Sequence, residues 1–300
     1  MYFSHTQWIK APRVAPSGQV LFAIGDIHGH ADELMALHTV LRSEIDSQKE
    51  FQYSVIHLGD YIDRGPDSKK TLEILCSGIN RKVDEVFLVG NHDQFLIELI
   101  KFDQSLDRSF INNWYENGGV NTMRSLQVDG YGRLLDSNAL EELRARTISA
   151  LGPVLVEFLK NLKPVYKIGD YVFVHAGIDP STDLESQEFV DLLLIREPFL
   201  SSSASWKHSF CVVHGHSISM PSVHRHRVSV DAGCYKNGAL CAVQIKENLL
   251  RFIAVTQDRK YPWREKLGGK INEWNWISPI DVCTLERTSG CLQCTGQNIE

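Results

Sequence analysis

Three hundred residues, 43% of them hydrophobic and 23% charged, with a formal net charge of −6, can bury a full core as one large α/β domain and leave little for a second. The acidic balance carries no nucleic-acid footprint and no apolar run is long enough to span a membrane, so neither partner is expected. Seven cysteines spread along the chain point to reduced thiols; with an N-terminus that lacks a signal-peptide pattern, they predict a cytoplasmic protein, its oligomeric state unspecified.

In chain order, three units of strand, polar loop and helix come first. Residues 20–24, 53–58 and 83–89 are short, rich in β-branched and aromatic residues and bounded by glycine, which predicts strands. Helical spacing follows each: 31–43, with Leu34, Leu37, His38 and Leu41 on one face, then 71–79 and 94–102. Such units build a mostly parallel sheet whose ligands collect at the carboxyl ends of its strands. Between 104 and 160 the pattern turns helical, around 120–126, 139–148 and 154–162, predicting a helical insertion over the site. Residues 211–214, 228–231, 240–245 and 249–255 read as consecutive strands, expected to form the second sheet of a two-sheet sandwich. His224-Arg225-His226-Arg227 is expected to be a solvated loop.

The chain thus divides into a catalytic body, 1–262, and a tail, 263–300. The tail holds Trp263, Trp274 and Trp276, then Cys283, Cys291 and Cys294. One CxxC with a single further cysteine and no nearby histidine is an incomplete zinc set. The tryptophans are therefore expected to pack on the body, with the last residues mobile.

Chemistry gathers where the first strands end. Gly25-Asp26-Ile27-His28-Gly29, Gly59-Asp60-Tyr61-Ile62-Asp63-Arg64-Gly65 and Gly90-Asn91-His92-Asp93 each follow an apolar run. Asp26, Asp60 and Asn91 could each be a helix N-cap. Capping does not explain His28, His92 or the Asp63-Arg64 pair. Oxygen and imidazole donors without thiolate suit Mn²⁺, Fe or Zn²⁺, and together the blocks read as a two-metal phosphoesterase centre.

With Val174-His175-Ala176-Gly177 and His214-Gly215-His216-Ser217 downstream, the series resembles the ordered motifs of calcineurin-like metallophosphoesterases from about residue 20 to about 255. More narrowly it resembles the phosphoprotein phosphatase family, which includes bacterial and phage serine/threonine phosphatases. The resemblance implies an α/β fold, a four-layer α/β/β/α sandwich with helices on both outer faces. The insertion would shape substrate access, with Trp114 and Asn117 as candidates for its wall. Two divalent metal ions are implied, Mn²⁺ first, with Fe or Zn²⁺ as alternatives. Asp26 and His28 would hold one, Asn91, His175 and His216 the other, and Asp60 would bridge them, leaving His214 as a neighbour. Ser217 and Ala232 stand where the family usually has threonine.

The implied mechanism is attack on phosphorus by a hydroxide shared between the ions. His92 would be the general acid and Asp63 would orient its ring. Arg64, and Arg196 in a segment resembling the family's phosphate-binding one, would clamp the phosphate oxygens. A positive pocket in an acidic protein favours a compact phosphate over a long polyanion. Because Gly215-His216-Ser217 and Arg196 resemble the protein-phosphatase branch, the expected substrate is a phosphoprotein or small phosphoester, phosphoserine or phosphothreonine foremost. Symmetrical cleavage of dinucleoside tetraphosphates is the alternative. A non-catalytic metal-binding scaffold is a third reading, opposed by the presence of all six ligands, the acid and both arginines.

Overall fold

The computed structural model describes residues 1–79, 83–101, 108–128 and 137–257 and a strand at 274–277. Two strands the sequence patterns did not reveal, β1 (Tyr2–Thr6) and β2 (Ile9–Lys10), precede the first predicted one, β3 (Gln19–Ile24). Val20, Phe22 and Ile24 of β3 face the helices while Leu21 and Ala23 face the other sheet. Burial on both sides is why this strand reads as a continuous apolar run.

The predicted units follow: α1 (Ala31–Ser47), β4 (Gln52–His57), α2 (Ser68–Ser77), β5 (Asp84–Phe87) and α3 (Asn91–Lys101). Strands β3, β4 and β5 pair in parallel, and Leu34, Leu37, His38 and Leu41 of α1 are all buried. The insertion comprises α4 (Arg108–Trp114), a wide turn at Tyr115–Gly119, α5 (Val120–Ser125) and α6 (Ser137–Lys160). Helix α6 is broken at Gly152 (φ 71°) ahead of Pro153, which is why two helical patterns were legible there.

Then come β6 (Val165–Ile168), β7 (Tyr171–Val174), α7 (Phe189–Leu194), β8 (Cys211–His214), β9 (Ser222–Val223), β10 (Arg227–Ser229), α8 (Cys234–Asn237), β11 (Ala239–Lys246), β12 (Leu249–Thr256) and β13 (Trp274–Ile277). The first sheet runs β13-β1-β12-β11-β3-β4-β5, with β2 on β12; the second runs β6-β7-β8-β10-β9.

This corrects one expectation. Strands β11 and β12 belong to the first sheet, β11 lying antiparallel to β3 with Ala242 opposite Ile24 and Lys246 opposite Val20. Both sheets are buried on two faces, so local periodicity identifies a strand without naming its partner. The tail's described part pairs by its backbone with β1, Phe3 opposite Ile277 and Thr6 opposite Trp274. Trp263, Cys283, Cys291 and Cys294 lie outside the described residues, as do the side chains of Trp274 and Trp276.

The sheets pack through Leu21, Ile56, Leu58, Phe173, Val213, Val228 and Val243. Helices α1 to α6 cover the first sheet, while the second has a thinner cover of Leu192, Phe199 and Phe210 over Val172, Val174 and Val212. His226 is buried there, within 3.2 Å of the Phe199 carbonyl, so the basic cluster is only partly solvated. The described cysteines Cys76, Cys211, Cys234 and Cys241 are free thiols. Among the described residues no helix is long and apolar enough to cross a membrane.

What positions the site is a second parallel trio, β7, β8 and β10. Its carboxyl ends meet those of β3, β4 and β5, so six loops converge on one crevice.

Candidate metal centre and active-site cleft

The loops that end these strands turn sharply. His28, Asp60, Asp63, Arg64 and His216 all have left-handed backbones, φ between 48° and 71°. Each such residue costs about 1–3 kcal/mol, a strain that collects at functional sites. The Asp60 carbonyl accepts the N–H groups of Ile27 and His28 at 3.1 and 2.8 Å, hanging the first loop on the second. The Asp26 carboxylate accepts the His216 N–H at 3.1 Å. A Cβ on Gly215 would stand 2.2 Å from that carboxylate, so only glycine permits the approach.

Five of the six predicted ligands converge on two groups of donors. Ligand atoms of Asp60, His175 and His216 lie within 4.8 Å of one another, and Asn91 Oδ1 sits 3.0 Å from His175 Nε2 and 2.9 Å from His216 Nδ1. The second group is His28, Asp60 and His92. Asp60 belongs to both, its carboxylate oxygens 3.4 Å from His28 Nε2 and 3.5 Å from His175 Nε2. Asp26 is buried beside them but turned to the His216 backbone. His214 is buried and spent on structure, with Nδ1 on the Gly215 carbonyl and its ring edge-on to Phe199.

The donor set fits cations. His175 Nδ1 donates to the Leu58 carbonyl at 2.9 Å and His28 Nδ1 to the Ile62 carbonyl at 2.8 Å. Each Nε2 is then a lone pair aimed inward. The His175 lone pair faces Asn91 Oδ1, acceptor against acceptor, and His216 Nε2 is buried without a partner among the described residues. Burial pushes His28 and His216 down to about 3 and also lowers His175, so all three rings are neutral, as ligation requires. Burial, with the neighbouring Asp231 and Asp60 carboxylates, raises Asp26 well above the usual range. Burial likewise raises Asp231 to about 6. Asp60, equally buried, accepts the backbone N–H of His92 at 3.0 Å. Crowded acids with so little cationic company are what a divalent ion would balance.

The acid pair lies alongside. His92 Nδ1 is 2.8 Å from Asp63 Oδ2, which leaves Nε2 as the ring's other atom. Burial raises Asp63, while the bonds from His92, Thr122 and Trp114 oppose the shift. Of the two candidates for the cleft wall, Asn117 lines it, whereas Trp114 takes the plainer reading of a core residue and is fully buried; a large indole held by a polar partner packs better than it lines.

Asp60, Arg64, Asn91, His92, Arg196 and His216 line a cleft of about 550 Å³, completed by Asn117, Leu194, Leu200, Ser217, Ile218 and Tyr235. Arg64 lies 4.3 Å over the Tyr235 ring and donates to His28 Nε2 at 3.1 Å.

Three contributors escaped the sequence reading. Asp93 accepts the N–H groups of Asp60, Tyr61 and Gly90 at 2.7–2.9 Å, tying two ligand loops together. Its signal was an acidic residue in the first turn of a helix, directly after two ligand-type residues. Asp231 shares the Asp26 pocket, its signal being the Asp231-Ala232-Gly233 block whose middle residue the family usually has as threonine; Tyr235 carries Arg64 and has no local sequence signature.

Comparison with known proteins places the chain among phosphoesterases. The symmetrical bis(5'-nucleosyl)-tetraphosphatase of Nitrosospira multiformis is 27% identical over 64% of this chain, although the alignment spans only 54% of that protein. The asymmetrical bis(5'-nucleosyl)-tetraphosphatase PrpE of Oceanobacillus iheyensis is 25% identical over 79% of this chain and 92% of its own. A solved structure named as a candidate diadenosine tetraphosphatase superposes with a TM-score of 0.52 at 17% identity, covering 82% of this chain and 97% of its own, and shows the shared fold alone. A profile of calcineurin-like phosphoesterases matches residues 20–238. That stretch contains every loop of the crevice just described, and the chain belongs to the calcineurin-like phosphoesterase family.

Proposed function

We propose that this metallophosphoesterase hydrolyses dinucleoside tetraphosphates in the cleft, with Asp26, His28 and Asp60 holding one divalent ion and Asp60, Asn91, His175 and His216 the other. The observation that carries the reading is the His92–Asp63 pair, 2.8 Å apart and opening onto the cleft that holds the ligand atoms and both arginines. Divalent ions, Mn²⁺ foremost, supply charge neutralisation and an activated water when bound. Arg64 and Arg196 bind the non-bridging phosphate oxygens, and their planar guanidinium groups fix the phosphorus for in-line displacement. His92 delivers a proton to the leaving oxygen while Asp63 balances the imidazolium charge. The catalytic unit is the body, 1–262, with 263–300 as a tail appended to it.

The nucleotide preference draws support from the relatives, one of them matched over nearly its whole length. It is consistent with the apolar shoulder of Leu194, Leu200 and Ile218 beside the two arginines, which can take the flat face of a nucleoside. Phosphoserine or phosphothreonine in proteins is the second reading, favoured by Arg196 and Ser217 lining the cleft together. Turnover of diadenosine tetraphosphate and of a phosphoserine peptide, each with Mn²⁺, separates them. ADP as sole product marks symmetrical cleavage, and AMP with ATP marks asymmetrical cleavage. Release of phosphate from the peptide alone overturns the nucleotide reading.

A further inference from the structure

Besides giving Asn117 to the cleft, the helical insertion closes on the acid pair with two buried side chains. Trp114, at the end of α4, donates its indole N–H to Asp63 Oδ2 at 2.9 Å, the oxygen that also meets His92. Thr122, on α5, donates its hydroxyl to Asp63 Oδ1 and accepts the Asp63 N–H at 3.0 Å. Both residues are fully buried. A helical threonine ordinarily spends its hydroxyl on the carbonyl four residues back; this one is turned to a side chain 59 residues away.

The next residue is held the same way. Arg64 donates its backbone N–H to the Gly118 carbonyl at 3.3 Å, and Asn121 donates to the Arg64 carbonyl. Asp63 and Arg64 are consecutive left-handed residues, so the insertion secures a strained pair that would otherwise relax. The glycines of the turn permit it: a Cβ on Gly118 would lie 2.7 Å from Arg64 N, and one on Gly119 2.6 Å from Trp114 Nε1.

We infer that Trp114 and Thr122 are positioning residues of the reaction, fixing the Asp63 carboxylate so that His92 can protonate the leaving group. The inference rests on the acid role proposed for His92. Its chemistry sets the signature. Protonation matters most when the leaving oxygen is basic and least when it is already stable as an anion. Loss of the acid or of its alignment therefore steepens the dependence of rate on the leaving group, whereas general loosening lowers all rates alike.

The test measures kcat on metal-loaded protein with phenyl phosphate and 2,4-dinitrophenyl phosphate, for wild type, His92→Ala, Thr122→Val, Thr122→Ser and Trp114→Phe. The expected result is a large fall in the phenyl-to-dinitrophenyl ratio for His92→Ala. Falls of roughly ten- to hundred-fold are expected for Thr122→Val and Trp114→Phe, the range typical of groups that orient a reacting residue. Thr122→Ser, which keeps the hydroxyl, should restore the ratio. If His92→Ala shifts the ratio and neither Thr122→Val nor Trp114→Phe does, the positioning role is wrong. If His92→Ala leaves the ratio unchanged, the acid role itself falls. Trp114→Phe carries the test alone should Thr122→Val fail to fold.

Discussion

His92 Nδ1 and Asp63 Oδ2 stand 2.8 Å apart with both side chains almost wholly buried, one from the first turn of α3 and the other from the loop after β4. In a low-dielectric setting such a pair acts as a unit, because the carboxylate stabilises the imidazolium and fixes which nitrogen carries the mobile proton.

His92→Ala is therefore expected to lower turnover by roughly 10²- to 10⁴-fold, the usual share of a general acid, with metal content intact. Asp63→Asn should cost a comparable factor, and the double variant little more than His92→Ala alone, since the two serve one step. Fully additive losses in kcat would show that they act separately.

Chelation should abolish turnover and lower the melting temperature. Asp26, Asp60 and Asp231 are buried together and repel one another once no cation balances them. Returning Mn²⁺ at a hundred times its dissociation constant restores about 2.7 kcal/mol by mass action. A melting temperature indifferent to chelator and Mn²⁺ would argue against the assigned cage, as would a His216→Ala protein that keeps full metal stoichiometry.

Arg196 lines the cleft with Arg64 without belonging to a ligand loop. Its removal in Arg196→Ala should lower kcat/KM by roughly ten- to hundred-fold, the worth of a hydrogen bond to a charged group. Arg196→Lys should recover only part, because a point charge cannot span two phosphate oxygens. Wild-type kinetics in the lysine variant would rule out the two-oxygen contact.

His38 is buried in the helix-facing core, and neither ring nitrogen has a described hydrogen-bond partner. Burial, with His57 and Arg42 nearby, pushes it well below the ordinary 6.5. The folded pKa lies under the unfolded one, so below about pH 6.5 the unfolded chain binds the extra proton and stability is lost as pH falls. Denaturant melts at pH 7.5 and 5.5 should show His38→Leu losing about 1.4 kcal/mol less than wild type across that interval, close to one proton over one pH unit. Equal acid sensitivity of the two proteins would contradict it.

Much of this site was legible before the fold was known. Asp60, Asn91 and His92 sit in glycine-bounded turns, and a turn is specified within a few residues. The strands ahead of them, apolar on both faces, announced themselves equally well. The placement of β11 against β3 was not legible, because the pattern of residues 239–246 satisfies either sheet; nor was the pairing of β1 with β12, whose partners are about 250 positions apart.

The sequence by itself determined which chemical groups this protein gathers and at which strand ends it carries them, since ligand type and turn geometry are local properties. Only the tertiary structure decided that Trp114 and Thr122 of the insertion close on Asp63, that Asp93 ties two loops together, and that Asp231 crowds Asp26. Those contacts join segments 32 to 205 residues apart with no periodicity between them, and they exist because packing the two sheets leaves one crevice in which buried polar groups must find each other.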